Sequence, residues 1–318
     1  MESETQMNME DTKRNYLDVI IPTYKPDEKF DRLIKRLRKQ TIQPDHIMVI
    51  NTEEQYFDQS KYEDIENLVI IHIDKEDFDH GATRNYGATL SDAKYIMFMT
   101  QDAVPADEYL IERLLAPFEK EDTAVSYARQ LPTKHAGVIE RYTRTFNYPD
   151  VDLVKTKADL DRLGIKTYFC SNVCAAYRKD VYDELGGFVT KTIFNEDMIM
   201  ASKVIQAGYS IAYASKAKVV HSHKYTYAQQ FTRNFDLAVS QRQYREIFGS
   251  IKSEDEGKKL VKDTITYLVE NKKAYLIPDL ILQSGFKYMG YKMGSKYEIL
   301  PKNIVKKCSM NKSFWKDK

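Results

Sequence analysis

Residues 17–24 read LDVIIPTY, an apolar run that ends in polar residues, and this stretch sets the fold class. The run from Leu17 to Ile21 predicts a short buried strand that Pro22 ends. Apolar residues then recur at helical spacing from Phe30 to Leu37, which predicts an amphipathic helix over residues 27–39. A strand followed by a helix that packs on it is the repeating unit of α/β sheets.

The same alternation continues along the chain. Strands are predicted at 46–50, 68–73, 95–99, 123–128 and 173–177, with a last one closing at Val219-Val220. Helices are predicted at 84–92, 107–119 and 196–207, the last with Asn195 as its N-cap and Gly208 as its stop. The intervening residues 129–167 are polar and predict loops and short helices over a cleft. This pattern predicts an α/β, Rossmann-like fold with a mostly parallel sheet flanked by helices.

From residue 225 onward every long segment has a helical pattern, which predicts a C-terminal helical appendage. The predicted organisation is a disordered tail at 1–15, an α/β domain at 16–224 and a helical region at 225–318. The tail is polar, which argues against a secretory signal, and no apolar run is long enough to span a membrane. We therefore expect a cytoplasmic protein, bound to a membrane at most through its surface.

Composition excludes several classes of protein. The 318 residues carry 48 Lys+Arg against 47 Asp+Glu, and a net charge of +1 argues against bulk nucleic-acid binding. The three cysteines, Cys170, Cys174 and Cys308, form no C-x-x-C pair, so a disulfide framework or zinc cluster is not expected and a reducing compartment fits. Motifs of P-loop proteins, dinucleotide-binding proteins, serine hydrolases and zincins do not occur in the sequence.

Polar residues follow several predicted strands, where open α/β sheets bind their ligands. They are Pro22-Thr23-Tyr24, Asp102 and His221-Ser222-His223. A carboxylate in such a loop is often only a turn or cap residue, and a lone histidine is more often structural than a metal ligand. Alternating histidines after a strand are predicted to point to opposite sides, so that at most one of them faces a given site.

Two further segments carry candidate chemistry. Asp79-His80-Gly81-Ala82-Thr83-Arg84-Asn85 leads into a predicted helix, and a glycine turn with an arginine there suits an anion. Asn195-Glu196-Asp197 opens another helix, where a carboxylate is expected to stay ionised at neutral pH and could act as a general base. For both segments the plain alternative is a surface loop or an acidic helix cap.

Taken together, these motifs resemble family 2 glycosyltransferases of the GT-A fold, and within them the bacterial rhamnosyltransferase branch. The resemblance runs from about residue 17 to 245. It rests on the stretches VIIPTY (19–24), FDHGATRN (78–85), MTQDA (99–103), RQLP (129–132), FNYP (146–149), SN (171–172), EDM (196–198) and HSHKYT (221–226). The later GYKMG (290–294) and LP (300–301) also suit that branch.

The resemblance implies a role for each matching position. Pro22, Thr23 and Tyr24 would border the nucleotide, and Arg84 would approach its diphosphate. Asp102, with His223 or His221, would hold Mg²⁺ or Mn²⁺, and Asp197 would be the catalytic base. The remaining predicted substrate-binding residues in the matching motifs are Asn85, Gln101, Arg129 and Glu196. Members of the branch typically use dTDP-β-L-rhamnose and build cell-surface polysaccharide.

Two positions depart from the family pattern. Thr100 stands where the family's D-x-D motif has its first carboxylate, which leaves Asp102 alone on the metal loop. The second strand ends in Asn51-Thr52-Glu53, where many members carry an acidic loop that contacts the base. Metal affinity and base recognition are therefore the two properties that the resemblance leaves open, and thymine in place of uracil would account for the second departure.

The implied reaction is a single displacement at C1 of the sugar, with the acceptor hydroxyl deprotonated by Asp197 and the anomeric centre inverted. A UDP-hexose or UDP-N-acetylhexosamine donor is the alternative within the same class. A non-catalytic GT-A scaffold that binds glycan or partner enzymes is the alternative from another class, and the joint presence of Asp102 and Asp197 speaks against it. The acceptor implied by the resemblance is a lipid-linked saccharide.

The end of the chain is basic. Residues 286–318 contain nine Lys against Glu298 and Asp317, and aromatic and aliphatic residues lie between the lysines. Such a mixture suits peripheral contact with an anionic membrane surface. A solvated helical surface or a homodimer contact is the alternative.

Overall fold

The computed structural model describes residues 16–249 and 254–316; the predicted disordered tail at 1–15 lies outside them. The strands are β1 (Leu17–Tyr24), β2 (His46–Thr52), β3 (Leu68–Ile73), β4 (Tyr95–Met99), β5 (Val104–Pro105), β6 (Thr123–Leu131), β7 (Leu153–Lys155), β8 (Cys174–Arg178) and β9 (Ser210–Val220). The helices are α1 (Glu28–Leu37), α2 (His80–Thr89), α3 (Leu110–Leu115), α4 (Val138–Asn147), α5 (Leu160–Leu163), α6 (Lys179–Glu184), α7 (Glu196–Gln206), α8 (Tyr227–Gln243), α9 (Arg245–Phe248), α10 (Glu254–Glu270), α11 (Ile277–Gly294) and α12 (Lys302–Cys308). Short 3₁₀ turns lie at 54–56, 59–62, 116–119, 157–159, 164–168, 274–276, 297–299 and 313–315.

One sheet has the order β3-β2-β1-β4-β8-β6-β9-β5, with β7 paired to β9. Strands β1 to β4 are parallel, whereas β8 lies antiparallel between β4 and β6, and β5 and β7 pair antiparallel with β9. The predicted α/β class is correct, and the sheet is parallel in its first part and mixed beyond it. The antiparallel β8 has a consequence for function, because it puts its first residues beside the carboxyl end of β4.

Two predicted boundaries were wrong for physical reasons. Pro22 does not end β1, which pairs with β2 up to Tyr24; pairing with β4 stops at Ile20, so no strand on that side requires an N–H from Pro22. Helix α2 begins at His80 rather than at residue 84, because Asp79 accepts hydrogen bonds from the N–H groups of Gly81 and Ala82 as its N-cap.

Apolar side chains pack on both faces of the sheet. One cluster joins β1, β2 and β4 to α1 and α3, with Phe30, Leu33 and Leu110 fully buried. The other joins the opposite face to α6 and α7, with Phe98 and Val204 fully buried. This two-sided burial explains the near-continuous apolar runs of the central strands.

The predicted C-terminal helical region is present as α8 to α12. Helices α8 and α11 pack closely, and a Cβ at Gly290 or Gly294 would overlap the carbonyl oxygens of Phe231 and Phe235. Val305 and Trp315 are buried with Ile193 against α8, so the end of the chain is part of the fold. Among the described residues, no helix is long and apolar enough to cross a membrane.

Candidate active site

Asp102, His221 and His223 come together at one edge of the sheet. Val104 of β5 pairs with Val220 of β9, and this register brings the loop before β5 against the residues that follow β9. His221 Nε2 lies 3.5 Å from Asp102 Oδ1, and His223 Nε2 lies 3.4 Å from Asp102 Oδ2. Both histidines therefore face the same carboxylate. The prediction that they point to opposite sides was wrong, because the chain is no longer an extended strand after Val220.

Gln130 at the end of β6 orients His221. Arg144 of α4 donates to Gln130 Oε1 at 2.5 Å, and His221 Nδ1 lies 3.0 Å from the same atom. A guanidinium can only donate, so the shared atom is an oxygen and His221 Nδ1 must carry the proton. The lone pair of Nε2 then points toward Asp102, as a metal ligand requires.

The two imidazoles are held neutral. Burial is the main cause that lowers the pKa of His221 to about 3, against the opposing effect of Asp102. Burial also lowers the pKa of His223, and the charges of Lys29 and Arg233 add to the effect. Neutral imidazoles are the form that binds metal ions.

These three side chains fit a divalent cation. Their ligand atoms, one carboxylate oxygen and two imidazole nitrogens, lie within 4.8 Å of one another. Two nitrogen donors make the set softer than the oxygen cages that Mg²⁺ prefers. Thr100 provides no carboxylate where the family motif has one, and a second histidine supplies a third ligand atom in its place.

Asp197 lies in the first turn of α7, against the residues that precede β8. Its Oδ2 accepts the N–H of Asn172 at 3.3 Å and its Oδ1 accepts the N–H of Met198 at 2.8 Å. Ser171, next to Asn172, accepts a hydrogen bond from Gln130 at 3.0 Å. Residues just before β8 therefore connect the base to the metal ligands, as the antiparallel pairing of β8 with both β4 and β6 dictates.

Burial, followed by the charge of Glu196, raises the pKa of Asp197 from 3.8 to about 7. The two N–H groups and Arg84 oppose this rise without cancelling it. The helix start alone predicts a carboxylate that stays ionised at neutral pH, whereas burial and Glu196 bring its pKa close to neutrality. A carboxylate with a pKa near 7 is well matched to accept a proton at neutral pH.

Glu196 and Arg84 form a buried ion pair. Arg84 Nη1 lies 3.1 Å from Glu196 Oε1, and the two side chains are 6% and 11% exposed. The same nitrogen donates to the His80 carbonyl at 2.9 Å. Both predicted substrate-binding residues thus lie beside Asp197 and contact each other.

Other residues of the segment at 79–85 form hydrogen bonds to residues 188–191, in the loop that leads to α7 and Asp197. Asn85 binds both backbone groups of Phe188 at 2.9 Å and also accepts from the hydroxyl of Tyr182. Asp79 accepts the N–H of Lys191 at 3.2 Å. A side chain at Gly81 would overlap the carbonyl oxygen of Val189, so glycine is needed there for this close approach.

The carboxyl ends of β1 and β2 form another side of the cleft. Buried Thr23 donates to Asn51 at 3.1 Å, and Asn51 Nδ2 lies 3.0 Å from His72 Nδ1. Gln101 binds the N–H of Tyr24 at 2.8 Å and its carbonyl at 3.1 Å, which ties the metal loop to β1. Pro22 directly precedes Thr23 and Tyr24 on β1 and pairs with Ile50 of β2.

Tyr24 and Tyr56 form an aromatic wall beside that edge. Their rings meet edge to face at 5.9 Å, and Tyr56 is 41% exposed. Lys25 lies 4.0 Å from the centre of the Tyr56 ring, and Lys75 lies 5.5 Å from that of Tyr24. Flat rings with flanking cations suit a nucleobase and its phosphates.

Arg129 is the predicted substrate residue whose largely buried guanidinium forms an ion pair, 2.6 Å from the exposed carboxylate of Asp150. Its neighbour Gln130 faces the site instead, as do Arg144 and Asn172, and the sequence interpretation assigned no role to these three. Successive strand residues point to opposite faces, and the sequence alone does not tell which of Arg129 and Gln130 faces the cleft.

Comparisons with known proteins agree with this geometry. A family model described as Glycosyl transferase family 2 matches residues 18–186. The chain is 40% identical to the O-antigen chain rhamnosyltransferase RfbN of Salmonella typhimurium, over 94% of this chain and 96% of that protein. It is 37% identical to the O-antigen chain rhamnosyltransferase WbaN of Salmonella anatum, over 93% and 95%.

Solved structures share the fold. TarS of S. aureus in complex with UDP-GlcNAc superposes with a TM-score of 0.51 at 16% identity, covering 89% of this chain and 91% of that one. The mannosyltransferase PcManGT of Pyrobaculum calidifontis in complex with GDP-Man and Mn²⁺ gives 0.54 at 13% identity, covering 96% and 86%. The predicted GT-A fold class is thereby confirmed.

Proposed function

Because this chain belongs to glycosyl transferase family 2 and is therefore an inverting glycosyltransferase, we propose that it transfers L-rhamnose from dTDP-β-L-rhamnose to a hydroxyl group of a growing cell-surface saccharide. The rhamnosyl group is supported by the two relatives, which are named as O-antigen chain rhamnosyltransferases and match nearly the whole chain.

The observation that carries the catalytic proposal is the connection of Asp197 to the Asp102–His221–His223 cluster through Asn172, Ser171 and Gln130. An inverting transfer needs a base on one side of the sugar and charge neutralisation at the diphosphate on the other. A non-catalytic scaffold would not require both.

In this proposal Asp197 takes the proton of the acceptor hydroxyl as that oxygen attacks C1 of the sugar. The C1 bond to the diphosphate oxygen breaks, and the diphosphate leaves with both electrons. Asp102, His221 and His223 would hold the cation, and when bound it supplies positive charge at the diphosphate. The donor set favours Mn²⁺ over Mg²⁺.

The other predicted residues receive narrower roles. Tyr24, with Tyr56, would border the base, while Pro22 and Thr23 shape the strand end beneath it. Gln101 positions the metal loop through its two hydrogen bonds to Tyr24.

The remaining predicted residues act through their neighbours. Arg84 would act through Glu196, whose charge helps to raise the pKa of Asp197. Asn85 holds the loop before α7. Arg129 would stabilise the end of β6 from outside the cleft.

The test is a donor panel with mass detection of the sugar added to a lipid-linked acceptor. We expect transfer from dTDP-L-rhamnose and none from UDP-hexose or UDP-N-acetylhexosamine. Asp197→Asn should lower the rate of transfer by roughly 10²- to 10⁴-fold, whereas Asp180→Asn should leave it unchanged. Asp180 is a matched control, because it is also the second residue of a helix but lies at the surface in an ion pair with Arg178. Transfer from a UDP-sugar alone would refute the donor proposal.

We also propose reversible attachment to the inner face of the cytoplasmic membrane, where a lipid-linked acceptor would be present. Four exposed apolar residues lie on α11: Ile281, Leu282, Tyr288 and Met289 are 48–58% exposed. Exposed lysines follow at 296, 302, 306 and 307. This pairing of an apolar stripe with nearby cations suits an anionic lipid surface.

Liposome sedimentation tests this attachment. Binding to anionic vesicles should weaken at high salt and in Ile281→Ser/Met289→Ser. Deletion of residues 286–318 is unsuitable, since it removes the buried Val305 and Trp315. Absence of binding at low salt would refute the membrane proposal and leave a solvated helical surface or a homodimer contact as the alternatives.

A further inference from the structure

Arg233 of α8 lies between the two loops that build the site. Its guanidinium carbon is 4.7 Å from the centre of the Phe194 ring and 5.6 Å from that of Tyr225. Phe194 stands shortly before Asp197, and the Tyr225 ring packs at 5.4 Å on that of the metal-ligand candidate His223. The C-terminal helical region thus places the guanidinium of Arg233 between the loop before Asp197 and the loop that carries His223.

Among residues 16–249 and 254–316, no carboxylate forms an ion pair with this guanidinium. Asp236, one turn further along α8, accepts the N–H groups of Met310 and Asn311 instead, at 2.9 and 3.0 Å. Arg233 is held by flat rings, which orient its plane but do not neutralise its charge.

The surroundings are built for an anion. The charges of Arg144 and Arg233 act on both metal-site histidines and that of Lys29 acts on His223, while Asp102 opposes them; Arg233 also acts on Asp236 on its other side. A bound divalent cation would add to this excess of positive charge. The anion that a glycosyltransferase must bring to its metal site is the diphosphate of its donor.

Arg84, the arginine that the sequence pattern assigned to the diphosphate, is not available in this way. It is buried against Glu196 and bonded to the His80 carbonyl. Arg129 is paired with Asp150, and Arg144 is bonded to Gln130. Of these arginines, Arg233 is the one without an oxygen partner.

We propose that Arg233 binds the diphosphate of the nucleotide donor, and that the C-terminal helical region thereby completes the donor site. This inference rests on the proposed use of a nucleoside diphosphate donor. A planar guanidinium can donate two parallel hydrogen bonds to phosphate oxygens, and stacking on Phe194 and Tyr225 pre-organises it to do so.

Calorimetric titration with dTDP and dTMP in the presence of Mn²⁺ tests the assignment on the full chain. In Arg233→Met we expect dTDP to bind roughly 10- to 100-fold more weakly, as for the loss of one charged hydrogen-bonding group. Binding of dTMP should change by less than about threefold, since the lost contact involves the second phosphate. Arg242→Met is the matched control, because Arg242 lies on the same helix in a surface pair with Glu298.

The outcomes separate the possible roles. An equal loss for dTDP and dTMP would show a packing role and overturn the proposal. Unchanged dTDP affinity with a raised KM for the acceptor would place the guanidinium at an anionic acceptor group and also overturn it. Wild-type protein that binds neither nucleotide would overturn the proposed donor class itself. If Arg233→Met does not fold, Arg233→Lys carries the test: it keeps the charge but loses the planar fork, so dTDP must still bind several-fold more weakly.

Discussion

Replacement of Asp197 by Asn should inactivate the enzyme. It should also change the pH dependence of stability: the free energy of unfolding of the variant, relative to that of the wild type, should increase from acidic to alkaline pH. The substitution keeps the shape of the side chain and removes its ability to take a proton. Turnover should fall by roughly 10²- to 10⁴-fold, the usual worth of a general base, with little change in donor affinity.

The stability effect follows from the pKa of Asp197, which burial and Glu196 raise from 3.8 to about 7. A carboxyl whose pKa is raised on folding stabilises the native state at low pH, and this contribution is lost as the pH rises through the folded-state pKa. At about 1.36 kcal/mol per pH unit, the loss between pH 5 and pH 8 is on the order of 2–3 kcal/mol. Asn does not titrate, so the variant does not undergo this pH-dependent loss of stability.

A second, constant effect opposes the first. Asn has one carbonyl oxygen for the two N–H groups of Asn172 and Met198, so one hydrogen bond is lost, at about 1 kcal/mol. This loss is the same at both pH values. The informative quantity is therefore how the difference in the free energy of unfolding between variant and wild type changes with pH.

Urea unfolding of both proteins at pH 5 and pH 8 measures that change, and the pH profile of kcat/KM provides a second readout. Wild-type kcat/KM should rise about tenfold per pH unit below 7 and level off above it. A stability difference that stays constant within about 0.5 kcal/mol, with a profile flat down to pH 5, would refute the raised pKa. Near-normal turnover in Asp197→Asn would refute the general-base role.

Three further outcomes are expected. EDTA should abolish transfer and Mn²⁺ should restore it better than Mg²⁺, with His223→Ala needing at least about tenfold more Mn²⁺; full activity in EDTA would refute the metal site. Gln130→Met should also raise the Mn²⁺ requirement, by about 10- to 100-fold, because His221 loses the oxygen that sets its tautomer; an unchanged requirement would contradict this role. Gly290→Ala should lower the free energy of unfolding by roughly 1–3 kcal/mol, because the added methyl group would overlap the carbonyl oxygen of Phe231. Gly285→Ala is the control: its methyl group would lie in open space on the same helix, and the free energy of unfolding should rise by up to about 1 kcal/mol. Similar effects in both variants would contradict the close packing of α8 and α11.

Much of the fold could be predicted because segments that become buried have a recognisable local pattern of apolar residues. Strands β3 and β4 were predicted residue for residue, at 68–73 and 95–99, since apolar runs bounded by polar residues mark strands buried on both faces. Helix α2 was misplaced by four residues at its start. Its first turn is set by the capping of Asp79, and the polar residues there resemble a loop when only apolar spacing is considered.

The candidate site was predicted as a set of residues and not as an arrangement. Asp102, Asp197 and the two histidines were identified from motifs, and the structure brings the histidines to one carboxylate where local geometry had separated them. Arg84 was assigned to a phosphate and forms an ion pair with Glu196. Partners distant in sequence decide such contacts, and no local pattern records them.

The sequence by itself determined the fold class, the family and the residues at the carboxyl ends of the strands, because hydrophobic period and short motifs are properties of neighbouring residues. Only the tertiary structure decided that β8 runs antiparallel, that Gln130 rather than Arg129 faces the cleft and that Arg233 reaches it from α8. The tertiary structure also sets the pKa of Asp197. Burial and the distance between charges exist only once segments far apart in the chain have packed together, and these two quantities set how strongly each group is charged and what it can bind.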